Sequence, residues 1–228
     1  MLSDFEYQAL LLSLKVASVS SIFLIPFGIS IGFCLARRNF FGKGVFDSII
    51  HLPLVLPPVV IGYLLLITLG QQSALGHWLN ETMGIVFSFN WKGAVIACMV
   101  VSLPLMVRAI RLNIETFDRK YEQAAATLGA SPIRVFFTIT LPLITPGIIT
   151  GTMLSFARSL GEFGATISFV SNIPGETQTI PLAMFNFIET PGGEEGAMRL
   201  CIISVAIALS SLLVSEWLTR ISRRHSKG

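Results

Sequence analysis

Few residue pairs in this chain have the spacing that site chemistry needs. Cys34, Cys98 and Cys201 each stand alone in an apolar stretch, which suits buried thiols better than a disulfide framework or a zinc site. His51, His77 and His225 are equally dispersed, and the acidic residues show no pairing suited to general acid and base work. Gly42-Lys43-Gly44 is the nearest approach to a phosphate-binding loop and is too short to be one, so the chain is not expected to bind ATP itself or to be an enzyme. The pair that stands out is Arg158 and Glu162, one helical turn apart in a mostly apolar region that also carries Ser155 and Ser159. An ionisable side chain at membrane depth marks a functional site by default, and the competing reading is an ion pair that only holds a helix end. The paired spacing favours the second.

Those two charges are conspicuous because so little of the chain is charged. Of 228 residues, 53% are hydrophobic and 13% charged, about half the charged share of ordinary soluble domains. No water-soluble fold hides that much apolar surface. The expected fold is all-α and integral to a membrane, as a single membrane domain over 1–228. Stretches close to the ~20 residues that cross a bilayer as helix occur at 16–35, 51–69, 93–107, 141–157 and 200–215. The last three are short between charges, and flanking Lys and Arg that snorkel let such helices extend by a turn. Residues 161–173 are apolar enough to weigh as a sixth span, but Gly161, Gly164, Ser168, Ser171 and Asn172 suit a re-entrant or lateral element better. Asp4 and Glu6 precede the first stretch where a secretory signal is basic, so that stretch is expected to remain in the mature protein.

Basic residues collect on the cytoplasmic side of membrane proteins. Arg37, Arg38 and Lys43 follow the first stretch, and Arg108, Arg111, Arg119, Lys120 and Arg134 follow the third. Arg220, Arg223, Arg224 and Lys227 follow the last, whereas Glu81, Glu176, Glu189, Glu194 and Glu195 fall in the alternate connections. Five crossings with the N-terminus outside and the C-terminus inside fit this distribution. Among the prolines beside the apolar stretches, Pro57 and Pro58 after Pro53 form the strongest cluster. Such a cluster suits a kinked helix that lines a polar path, or ordinary kinking between packed helices.

The segment 113–140, between the third and fourth stretches, carries the most specific pattern. Glu122 to Leu128 is rich in helix formers, Gly129 suits the left-handed position after a helix, Ser131 suits an N-cap and Pro132 a first turn. Two short helices are expected, with Leu141-Pro142 marking the return to the membrane. The order Glu122, Ala124-Ala125, Gly129, Ile139, Leu141-Pro142 resembles the EAA signature of ABC-importer permeases. The resemblance implies a type I ABC transmembrane domain over 9–218, in which these seven residues form a coupling element that docks on a separate ATP-hydrolysing subunit. Small alanines permit close docking and Gly129 a sharp reversal, which agrees with that implication. His51 to Tyr63 and Arg158 to Thr177 closely resemble the permeases of molybdate transporters. The Ser-Leu-Gly-Glu-Phe-Gly core is shared with sulfate permeases, and the continuation Asn172-Ile-Pro-Gly-Glu-Thr favours molybdate.

Membership of that branch implies a permease of the bacterial inner membrane that works by alternating access. Its implied partners are a second copy of this chain, two ATPase subunits that hold ATP and magnesium, and a periplasmic molybdate-binding protein; nucleic acid is not among them. Arg158 is then expected to supply positive potential near the path of a dianion, with Ser102, Ser155 and Ser159 as hydrogen-bond donors, Glu162 alongside and the Pro57-Pro58 kink in the path. A sulfate or tungstate importer is the near alternative. A polytopic membrane enzyme is the alternative from another class, and the paired nucleophile and base or metal ligands that it needs do not stand out.

Overall fold

A computed structural model describes residues 3–225, with side chains for 3–217. Every regular element among the described residues is helical. α1 (Asp4–Arg37) begins with a capping box: Ser3 Oγ accepts from the Glu6 N–H at 3.3 Å, and the Ser3 N–H donates to Glu6 Oε2 at 2.7 Å. Its 34 residues reach about 51 Å, so it overruns the expected 16–35 span at the N-terminal end. α2 (Lys43–His51), α3 (Pro58–Leu69) and α4 (Ala74–Met83) are short, and α5 (Trp91–Thr116) is again long. α6 (Lys120–Thr127) and α7 (Pro132–Val135) follow, then a π turn (Phe136–Thr140) and α8 (Leu141–Leu160). α9 (Gly164–Val170), α10 (Ile180–Glu189) and α11 (Glu194–His225) complete the chain.

Four helices are long and apolar enough to cross a membrane, Asp4–Arg37, Trp91–Thr116, Pro132–Leu160 and Glu194–Trp217, or five if one bent pair is counted as a span. That pair is the expected 51–69 span. It is not a straight helix: α2 with the 3-10 turn Leu52–Leu54 meets α3 at 108°. Pro57 is extended at φ −56°, ψ 132°, as a residue before proline must be, and neither Pro57 nor Pro58 has an N–H to carry the helical ladder through. α3 alone is about 18 Å long, short of the roughly 30 Å hydrocarbon core.

Arg108 and Arg111 are not in a connecting loop as expected. They lie on α5, where Arg111 finds two partners: Arg111 Nη1 bonds Asp47 Oδ2 at 2.8 Å and Arg111 Nε bonds Glu115 Oε1 at 2.8 Å. Leu141-Pro142 is likewise no break. The π turn before it places the Leu141 N–H on the Phe136 carbonyl, five residues back, which widens the helix where Pro142 has no donor. Arg220, Arg223 and Arg224 fall on the last turns of α11, past the described side chains, and Lys227 lies outside the described residues.

α1, α5 and α8 pack on one another at the centre, α11 packs on α8, and α10 on α1 and α11. Helices in lipid gain little from hydrophobic burial and associate through close packing, which small residues permit. On α8, a Cβ at Gly147 would stand 2.6 Å from Asn113 Cβ of α5, so the contact requires glycine. The seven-residue α9 is too short to span and packs on α3 and α5, as a lateral or re-entrant element does. A Cβ at Gly62 of α3 would stand 2.5 Å from the Ala165 carbonyl oxygen, so these two backbones touch.

Candidate functional site

The turn between α6 and α7 folds as its sequence predicts, although α7 is not a separate short helix but runs on through the π turn into α8. α6 ends where Gly129 takes φ +81°, and the Gly129 and Ala130 N–H groups return to the Ala126 and Ala125 carbonyls at 3.0 and 3.1 Å. Ser131 Oγ accepts from the Arg134 N–H at 3.4 Å, and Pro132 opens α7. Glu122 joins this hairpin to the bundle: its Oε1 accepts from Thr140 Oγ1 at 2.8 Å, and its Oε2 lies 3.4 Å from Arg37 Nη2 at the end of α1. The latter is an ion pair rather than a well-formed hydrogen bond. Arg37 also lies over the Phe117 ring, 4.4 Å from its centre. A cavity of about 260 Å³ lies beneath, lined by Phe33, Glu122, Ala126, Ala130, Pro132, Val135, Phe136 and Thr140.

On its outer side the hairpin exposes Tyr121, Leu128, Ile133 and Phe137, with Leu128 at 88%. These four large apolar side chains form an exposed patch on an otherwise charged segment. Of the seven residues of the signature, Ala124, Gly129 and Pro142 are exposed and Glu122, Ala125, Ile139 and Leu141 half-buried. The sequence reading did not single out Arg37, Thr140 or the four exposed apolar residues. Tyr121 and Leu128 are seven residues apart, two helical turns, and that spacing was the available signal.

The expected path residues separate into two groups. Ser102, Ser155 and Ser159 are brought together but face inward: Ser159 Oγ lies 3.0 Å from Ser102 Oγ, accepts from Ser20 Oγ at 3.2 Å, and Ser155 Oγ donates to the Ser102 carbonyl at 3.4 Å. Cys98 Sγ donates to the Ser159 carbonyl at 3.6 Å. All of these side chains are buried where α1, α5 and α8 meet, so within the single chain they join helices rather than line an open channel. Arg158 and Pro57 keep accessible surface, and Pro58 packs at Gly164.

Arg158 and Glu162 do form an ion pair, with Nη1 2.6 Å from Oε2. Glu162 is 1% exposed at its side chain, and its Oε1 also accepts from the Ala165 N–H at 2.8 Å, so the carboxylate caps α9 while holding the end of α8. Among the described residues no group of three or more His, Cys, Asp or Glu is placed to hold a metal ion.

A family model described as the inner membrane component of binding-protein-dependent transport systems matches residues 25–227. The chain belongs to that family. It is 64% identical, over 99% of its length and 98% of the relative's, to the molybdenum transport system permease protein ModB of Escherichia coli (strain K12). It is 59% identical to ModB of Haemophilus influenzae over 94% of each chain. It also matches a chain of a bacterial alginate ABC transporter, crystallised with an alginate pentasaccharide-bound periplasmic protein, with a TM-score of 0.76 at 17% identity over 96% of this chain and 80% of that one. The fold is therefore that of type I ABC-importer permeases, and the chain is a multi-pass inner-membrane transport subunit.

Proposed function

We propose that this subunit forms the translocation path of an ATP-driven molybdate importer. The observation that carries the substrate is the near full-length identity to two molybdenum transport permeases. In this reading the whole of 1–228 is one membrane domain, 9–218 its transporter unit and 113–140 its coupling segment, on the cytoplasmic side. Two copies of the chain face each other, a periplasmic molybdate-binding protein delivers the oxyanion, and two ATPase subunits hold ATP and magnesium. The N-terminus is then periplasmic and the C-terminus cytoplasmic, in keeping with the basic residues at the Arg37 and Arg134 end.

Glu122, Ala124, Ala125, Gly129, Ile139, Leu141 and Pro142 form the coupling element. The exposed Tyr121, Leu128, Ile133 and Phe137 supply the apolar contact with the ATPase, and Glu122 transmits its displacement to α1 through Arg37 and to the base of α8 through Thr140. Arg158, backed by Glu162, and the bend at Pro57-Pro58 border the path, and Ser102, Ser155 and Ser159 hold the helices behind it. Weak binding suits such a path, since a conducted ion must also leave.

Uptake of labelled molybdate by cells lacking other molybdate routes tests the substrate. Competition by excess molybdate and tungstate, with little by sulfate, is the expected result; sulfate competing as well as molybdate would assign the subunit to a sulfate importer.

A further inference from the structure

The connection from α9 to α10, residues 171–179, combines two features that a packed loop ordinarily avoids. Ser171 sits at φ 64°, ψ −168°, a region essentially reserved for glycine, and Gly175 follows at φ 79°. Asn172 Oδ1, Gln178 Nε2 and Thr179 Oγ1 are buried with no hydrogen-bond partner among the described residues. Buried polar groups in folded proteins are nearly always paired, so three such atoms within eight residues call for a physical reason. Gln178 is 3% and Thr179 5% exposed within the single chain, which puts them out of reach of lipid or of a second copy.

The same loop is firmly tied at other points. Thr177 Oγ1 accepts from the Ile173 N–H at 2.9 Å and donates to the Ser171 carbonyl at 3.0 Å. Ser13 Oγ of α1 accepts from the Ile180 N–H at 2.6 Å, and Asn172 Nδ2 donates to the Leu182 carbonyl at 3.3 Å. Strain persists only where the surroundings over-determine it, and these bonds do so. The loop also joins helices with different packing partners, since α9 packs on α3 and α5 while α10 packs on α1 and α11. The buried serines between α1, α5 and α8 show no such deficit, because each is bonded.

We infer that residues 171–179 form a two-state switch: Ser171 leaves the positive-φ region and the unpaired polar atoms find partners when α9 moves relative to α10 as the path opens. The inference rests on the importer reading. Alternating access needs an element with two arrangements close in free energy, and strain with unmet hydrogen bonds lowers the cost of leaving the present one.

The test uses the assembled transporter, this chain with its ATPase partner, carrying Cys34→Ser, Cys98→Ser and Cys201→Ser, with Gln178→Cys as reporter. The readout is the rate at which N-ethylmaleimide alkylates the reporter. Ser171→Gly removes the strain, and Thr179→Val removes an unpaired hydroxyl while keeping its shape, so each stabilises the described conformation. Each is expected to slow alkylation roughly fivefold or more, and uptake falls with it. Gly175→Ala strains the same conformation and speeds alkylation by a similar factor. Equal alkylation in the parent and all three variants overturns the inference. A lower unfolding temperature for Thr179→Val also overturns it, because that hydroxyl then has a partner such as a buried water. Molybdate uptake by the reporter parent is measured alongside: its absence counts against the importer reading, whereas uptake with indifferent alkylation counts against the switch alone.

Discussion

Arg158 carries its charge on a side chain 31% exposed, over a Glu162 carboxylate that is 1% exposed. Removing only the cation leaves that carboxylate buried without compensation, a change that typically costs about 3–5 kcal/mol. Arg158→Gln alone is therefore expected to lower the unfolding temperature and the yield of assembled complex. Adding Glu162→Gln is expected to restore both, since the amide oxygen still accepts from the Ala165 N–H. Molybdate uptake in the double variant then separates the roles: normal uptake makes the pair structural, and reduced uptake in a well-assembled complex places the Arg158 charge on the path. The i, i+4 spacing made this pair legible in the sequence. The bond to Ala165 was not, because it depends on where α8 stops and how the chain turns into α9. The burial of the serines was not legible for a related reason: hydroxyl count marks a polar seam, and only packing decides which way the seam faces.

The hairpin of α6 and α7 was the most legible element, because its turn is specified by local chemistry. Gly129 at φ +81° ends α6 where nearly any side chain would be strained, and Ser131 with Pro132 begins α7. Gly129→Val places a β-branched residue in that conformation and is expected to tilt α6 and the apolar surface around Leu128. ATP hydrolysis by the complex should continue while molybdate uptake per ATP falls at least about tenfold, an effect of about 1.4 kcal/mol; unchanged coupling would remove Gly129 from the coupling element. The bend between α2 and α3 was much less legible. Residues 51–69 read as one apolar run because hydropathy records composition and not direction, although Pro57 and Pro58 mark the place where the helix ends. Helix lengths were underestimated in the same way: Arg108 and Arg111 looked like loop residues, and although Glu115 stands at i, i+4 from Arg111, the bond from Arg111 to Asp47 becomes visible only in the fold.

Four long helices and one bent pair, arranged around α1, α5 and α8, leave large apolar faces of α3 and α11 uncovered within a single chain, including Tyr63, Ile67, Leu209 and Leu213. Such surface belongs against lipid or another protein. In the reading we propose, it faces the bilayer and a second copy, while substrate capture and ATP hydrolysis sit on other chains. The most direct measurement is uptake of labelled molybdate into proteoliposomes that contain this subunit with its ATPase, with the binding protein supplied on the periplasmic face and ATP on the opposite one. Uptake is predicted only when all three proteins and ATP are present; molybdate entry through this subunit alone, or ATP hydrolysis by it alone, would contradict that division of labour.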